Sequence, residues 1–342
     1  MTNAIDSSSG KRIFFLGVNT GYVSNGLPDN RYVEFYRQRS SRALHCAIIG
    51  NVVVPGGYGS NDATPTLTSD FVWGKVADAI TTGGSMPGIQ LATSWAGYIG
   101  TRKFVGDDPR SVIANARSLV EELGSAGSGS VIKAFREASH MATDHGYRHV
   151  QFHGAHGYLL SLLIDYRINP RSEEILDRLS RLAEHLMASG IETSLRISLL
   201  TGDDAFDATA DAARFHDRVA ALPFDFIDLS SGFYNIDKRL IYPSRPAILA
   251  ERRLMSVKVA SRHPGRNFIL SGRAMNTASE YLPDNLHLGL CRDLIANPNF
   301  LAQRERGCKN RNKCHYFSRG ETSLSCARWD DSERMSTFLR DP

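Results

Sequence analysis

The stretch 131–152, VIKAFREASHMATDHGYRHVQF, joins two different periodicities. From Val131 to His145 apolar residues recur three or four apart, as on one face of a helix; His149 to Phe152 is then a short run of the kind that forms a buried strand. The same pairing recurs in both directions along the chain. Strand-like runs fall at 13–16, 47–54, 88–91, 149–152, 194–197, 226–229, 268–270 and 287–290. Helical spacing occupies 32–42, 70–81, 131–145, 172–188, 207–221 and 246–261. Alternating strands and helices predict a parallel sheet, and eight such units in about 300 residues predict one closed α/β structure, a single (β/α)8 TIM barrel. Neither GxGxxG after a strand nor GxxxxGK[ST] occurs, so the usual signals of an open dinucleotide fold and of a P-loop are missing.

Composition agrees with a globular chain: 342 residues, 42% hydrophobic and 22% charged. No apolar run approaches the roughly 20 residues that span a bilayer, and residues 1–12 are polar, so no membrane association and a cytoplasmic location are expected. The net charge of +4 comes from 40 basic and 36 acidic residues scattered along the chain, which argues against nucleic acid as a partner. Arg304, Arg306, Lys309, Arg311, Lys313 and Arg319 do crowd together and read as a solvated tail. The Gly/Ser-rich segment 124–130 reads as a surface loop between helices. Five cysteines, three of them near the end, do not form a secreted disulfide pattern; Cys46 and Cys291 read as buried thiols. The organisation expected is a disordered tail over 1–11, a barrel over 12–303, and a C-terminal tail over 304–342 packed on the barrel.

Catalytic groups of a barrel come from the C-terminal ends of its strands. The run HVQFHGAHGYLL, residues 149–160, places His153, His156 and Tyr158 just past the fourth strand. Two imidazole N–H groups can hold one carbonyl or phenolate oxygen, and a phenol with a pKa near about 10 can give a proton to a forming carbanion. That combination suits reduction of an activated alkene. Capping of backbone groups or metal binding by the two histidines is the alternative.

The longer segment GYRHVQFHGAHGYLLSLLIDYRINPRSEE, residues 146–174, resembles the central part of the old yellow enzyme family, FMN-dependent ene-reductases. Further resemblances follow in the same order: FFLGVNTGYVSNGLPDNRYVEFYRQRS at 14–40, AIIGNVVV at 47–54, GIQLA at 88–92, SLRIS at 194–198, LSGRAM at 270–275 and GLCRDLIANPNF at 289–300. Together they span residues 12 to 330. The resemblance implies a barrel that binds FMN, with NAD(P)H as a transient reductant and a small-molecule acceptor such as an α,β-unsaturated carbonyl. It implies that His153 and His156 hold the acceptor oxygen and that Tyr158 donates the proton. Gln90, Arg196 and Thr20 then correspond to groups at the flavin ring, with Gly50 and Asn51 beside them. Ser271, Gly272, Arg273, Cys291 and Arg292 correspond to the phosphate end, where backbone N–H groups and positive charge suit a phosphoryl group. A guanidinium near the ring stabilises the anionic reduced flavin.

Some positions depart from the family. Cys291 stands where a glycine is usual, Thr93 and Tyr98 stand where many members carry a histidine and an arginine, and the chain passes from Glu174 straight into Ile175 without the usual Tyr-Gly-Gly-Ser stretch. The segment CKNRNKC at 308–314, with Cys326, resembles the cysteine motif of larger relatives such as 2,4-dienoyl-CoA reductase, but Arg311 takes one cysteine's place, so no metal is expected. A three-cysteine cluster and a zinc site with His315 are the alternatives to a relic tail. Desaturation, aromatisation or C–N oxidation by the same cofactor, or a flavin-free lyase or binding protein, remain alternatives for function, and homo-oligomer formation stays open.

Overall fold

Eight strands close on themselves: β1 (Ile13–Phe15), β2 (Cys46–Val53), β3 (Met86–Ala92), β4 (His149–Gly154), β5 (Glu192–Ser198), β6 (Phe226–Ser230), β7 (Asn267–Leu270) and β8 (Leu286–Leu290). This is a computed structural model that describes residues 10–277 and 281–329. Each strand pairs in parallel with its sequence neighbours, and the ring shuts where β1 meets both β8 (Ile13 opposite Leu288) and β2 (Phe14 opposite Cys46). The barrel expected from the sequence is therefore the fold observed. Residues 1–9 and 330–342, parts of the two expected tails, lie outside the described residues.

The strands are apolar on both faces because each face meets a different layer. Phe14, Leu16, Cys46, Ile48, Phe226 and Ile269 pack together apart from the larger core. Phe14 and Phe226 touch at 5.0 Å although β1 and β6 are not neighbours, so this cluster fills the bore. The larger core lies between the strands and the helices α1 (Asn30–Arg39), α2 (Val72–Thr82), α3 (Pro109–Asp144), α4 (Ser172–Ala188), α5 (Ala210–Ala220), α6 (Pro246–Arg262) and α7 (Arg292–Ala296). In α4, for example, Ile175, Leu179, Leu182 and Leu186 are buried at spacings of three and four, each stabilising the fold by about 1.5–3 kcal/mol. Asp29 caps α1 by accepting from the backbone of Arg31 and Tyr32.

One expectation is corrected. Residues 124–130 are not a surface loop: α3 runs from 109 to 144, interrupted only at Gly124 (φ 63°, ψ −173°). Two of the segment's three serines are satisfied inside the helix, Ser128 Oγ donating to Gly124 O at 2.7 Å and Ser130 Oγ to Ala126 O at 3.1 Å, while Ser125 Oγ donates to Glu174 Oε2 on α4 at 3.5 Å. Among the described residues no helix is long and apolar enough to cross a membrane.

Candidate active site

The loops that leave the C-terminal ends of the strands enclose one pocket. Its wall comes from Leu16–Asn19 after β1, Asn51 in β2, Gln90 in β3, His153, His156 and Tyr158 at and beyond the end of β4, Arg196 in β5, Gly272 and Arg273 after β7, and Cys291 and Arg292 after β8. The chain enters this arrangement through tight turns. His156 (φ 64°) and Gly157 (φ 77°) are both left-handed, and a Cβ on Gly157 would lie 3.0 Å from the Phe233 ring.

His153 and His156 face each other with ring centroids 5.0 Å apart, and His153 lies 5.2 Å from the Tyr158 ring. Ser230 Oγ is 2.7 Å from His156 Nε2, while His153 Nδ1 is buried without a partner. Burial, reinforced by Arg196, holds both imidazoles well below their usual pKa. Burial thus favours the neutral imidazole, with a single N–H, at both positions. Burial, and secondarily the Tyr234 phenol, pushes the Tyr158 hydroxyl up, with Ser60 opposing. Tyr158 stays protonated and is flanked by Tyr98 and Tyr234.

Beneath this triad a polar chain crosses neighbouring strands. Gln90 Nε2 donates to Gln151 Oε1 at 2.5 Å, Gln151 Nε2 donates to Asp228 Oδ2 at 3.2 Å, and Arg196 Nη1 donates to the same oxygen at 3.0 Å. Asp228 Oδ1 and Arg196 Nε are buried without partners. On the β7–β8 side, positive charge collects. Arg292 Nη2 donates to Pro243 O, and Arg252, fully buried on α6, donates to Leu240 O and stands behind Gly272, where a Cβ would be 2.7 Å from its Nη1. Burial, then repulsion from Arg196, pushes the Arg252 guanidinium down to about 9. Burial raises the Cys291 thiol to about 11 against the pull of Arg292, which favours the thiol over the thiolate at this place in the wall.

Three of the residues singled out in the sequence do not line the pocket. Thr20 is buried and accepts from Tyr22 N through its hydroxyl. Ser271 is completely buried, and its Oγ donates to Leu229 O at 2.7 Å. Gly50 packs on Gln90, where a Cβ would come within 2.7 Å of the glutamine Cβ.

Other residues at the site were not singled out. Gln151 and Asp228 were visible as polar residues inside apolar strands, but Arg252 had no local signal. The C-terminal segment is the largest addition: Tyr316, Phe317, Ser318 and Leu324 line the pocket, together with His315, which the sequence offered only as a zinc ligand. The segment is anchored by Leu324 N donating to Thr20 O at 2.7 Å, Tyr22 Oη donating to Leu324 O at 3.0 Å, and Lys238 Nζ donating to Ser318 Oγ at 2.9 Å. The cations Arg306, Lys309, Arg311, Lys313 and Arg319 point outward, while His315 and Tyr316 between them are buried. Cys308, Cys314 and Cys326 are free thiols, and no group of three or more metal-binding side chains occurs among the described residues.

The polar groups of this wall suit a ligand with a heterocyclic edge at one end and an anion at the other. Three residues of the pocket wall carry buried side-chain nitrogens without partners (His153 Nδ1, Arg196 Nε, Arg273 Nε), and the wall has amide groups on the β2–β3 side and guanidinium groups with a close-packed glycine on the β7–β8 side. The first set suits a heterocycle edge and the second a phosphate.

No protein-family profile matches the chain. It is 25% identical over 291 residues to the NADH-dependent flavin oxidoreductase iliE of Hypocrea jecorina (strain QM6a), a match covering 73% of each protein. It is also 23% identical over 185 residues to 12-oxophytodienoate reductase 7 of Oryza sativa subsp. japonica, covering 47% of this chain and 46% of that one. These similarities bear out the resemblance to the old yellow enzyme family carried by the sequence motifs.

Proposed function

We propose that this relative of the flavin oxidoreductases is an FMN-dependent enzyme that passes hydride from NADH or NADPH to an activated alkene, such as an α,β-unsaturated carbonyl. The observation that carries this reading is the convergence of His153, His156 and Tyr158 with Gln90 and Arg196 on one pocket at the barrel mouth. Bound FMN would supply the hydride-carrying ring. The chain's own residues do the rest. Gln90 and Arg196 hold the heterocycle edge, and Gly272, Arg273 and Arg292 hold the phosphate. The two neutral imidazoles donate N–H groups to the acceptor oxygen and draw electron density from its β-carbon. Tyr158 gives its proton to the α-carbon as charge develops there. Nicotinamide and acceptor can use the same pocket in turn, so no separate dinucleotide domain is required.

The visible spectrum of the purified protein tests the cofactor, and anaerobic titration with NADH and then NADPH tests the reductant. A yellow protein bleached by either nucleotide and recoloured by an enone supports the proposal. A colourless protein that fails to take up FMN overturns it.

A further inference from the structure

Arg196 does not carry its charge alone. Asp228 lies opposite it in register on the adjacent strand, is completely buried, and shares one carboxylate oxygen between Arg196 Nη1 at 3.0 Å and Gln151 Nε2 at 3.2 Å. Gln151 passes this connection on to Gln90 at 2.5 Å. Both side chains assigned to the heterocycle edge are thus tied to a single carboxylate. Burying such a group costs several kcal/mol that a well-packed apolar residue would avoid, so stability does not account for its presence. Burial favours its neutral form, while Arg196, Gln151, Arg252 and Ser271 around it favour the carboxylate.

We propose that Asp228 is a positioning residue that offsets the charge of Arg196 beneath the flavin, holding the reduction potential below the value an uncompensated arginine would impose. The inference rests on the FMN reading above. Positive charge at this edge favours the anionic reduced form, and a carboxylate bonded to that charge cancels part of its effect. The result is a reduced flavin that gives up hydride more readily to an acceptor.

Asp228→Asn keeps the shape and one acceptor while removing the negative charge. Equilibrated with a reference dye at saturating FMN, the variant should show a reduced-to-oxidised flavin ratio about tenfold or more above wild type at the same dye poise. The Kd for FMN should stay within about threefold, because loss of one nearby anion does not remove a flavin contact. An unchanged ratio overturns the proposal, since a purely structural link predicts altered affinity without an altered potential. The double variant Arg196→Met/Asp228→Leu covers the case in which the single variant does not fold, because exchanging a whole buried pair for apolar residues is often neutral. Its ratio should lie near wild type; a fall of about tenfold would mean that Asp228 had cancelled nothing. If the wild-type protein itself takes up no FMN, the FMN reading fails first and this proposal falls with it.

Discussion

The ring of Tyr158 stacks on that of Tyr234, with centroids 6.2 Å apart and planes inclined by 28°. Tyr98 meets Tyr158 from another side, edge-on at 5.7 Å, and itself rests on Trp95 at 4.7 Å. These rings hold the phenol in place while its hydroxyl stays protonated, which is the state a proton donor must occupy before reaction.

Replacing Tyr158 by Phe keeps the stack and removes the proton. Stopped-flow measurement should show alkene reduction slowed by about 100-fold or more, the usual contribution of a general acid. Reduction of the flavin by NADH should change less than about threefold, since hydride transfer to the flavin does not use this proton. Equal slowing of both half-reactions would count against the assigned role.

The proposed phosphate end is tested at Gly272. Its φ is 88°, and a Cβ there would lie 2.7 Å from Arg252 Nη1 and 3.0 Å from Pro243 Cγ. Gly272→Ala should weaken FMN binding about tenfold, measured by isothermal titration, because the left-handed strain and the displaced guanidinium both act at this turn. Unaltered affinity would place the phosphate elsewhere.

At the opposite end of the barrel, Glu192 is 2.7 Å from His149 Nδ1 and 2.9 Å from His45 Nε2. Burial opposes its ionised form, but the hydrogen bonds from His149 and His45 outweigh that and hold it well below the usual carboxylate range. A carboxylate depressed in this way adds stability above its unfolded pKa of about 4.3 and loses it as pH falls toward the lower folded value. Glu192→Gln should therefore cost about 2 kcal/mol in urea unfolding at pH 7. The gap should narrow steadily below about pH 4, and a gap independent of pH would refute the assignment.

Leu324 ties the C-terminal segment to the pocket from a buried position. Leu324→Ala should lower stability by about 2–5 kcal/mol in denaturant unfolding. Since the segment lines the opening, the KM for the acceptor should rise more than kcat falls. A change in stability with KM untouched would make the segment a brace rather than part of the binding surface.

Much of this molecule was legible in one dimension. Each of the eight strands falls where a short apolar run lies, because a strand buried on both faces needs apolar residues throughout. His153, His156 and Tyr158 were legible for a related reason: His153 ends the fourth strand and the other two follow it, and strand ends in a closed barrel share one mouth. Segment 124–130 shows the limit of composition, since Ser128 and Ser130 satisfy their hydroxyls on carbonyls of the helix they belong to. Local periodicity carries no information about partners far along the chain. Asp228 meets Arg196 from 32 positions away, Arg252 reaches Gly272 from the back of a helix, and Lys238 fixes Ser318 from 80 positions away. Sequence alone determined which segments become strands and where the candidate catalytic side chains emerge, because both follow from neighbours on the chain. Only the tertiary structure decided which charges meet and what covers the mouth, because closing the barrel brings those residues together without leaving any pattern between them.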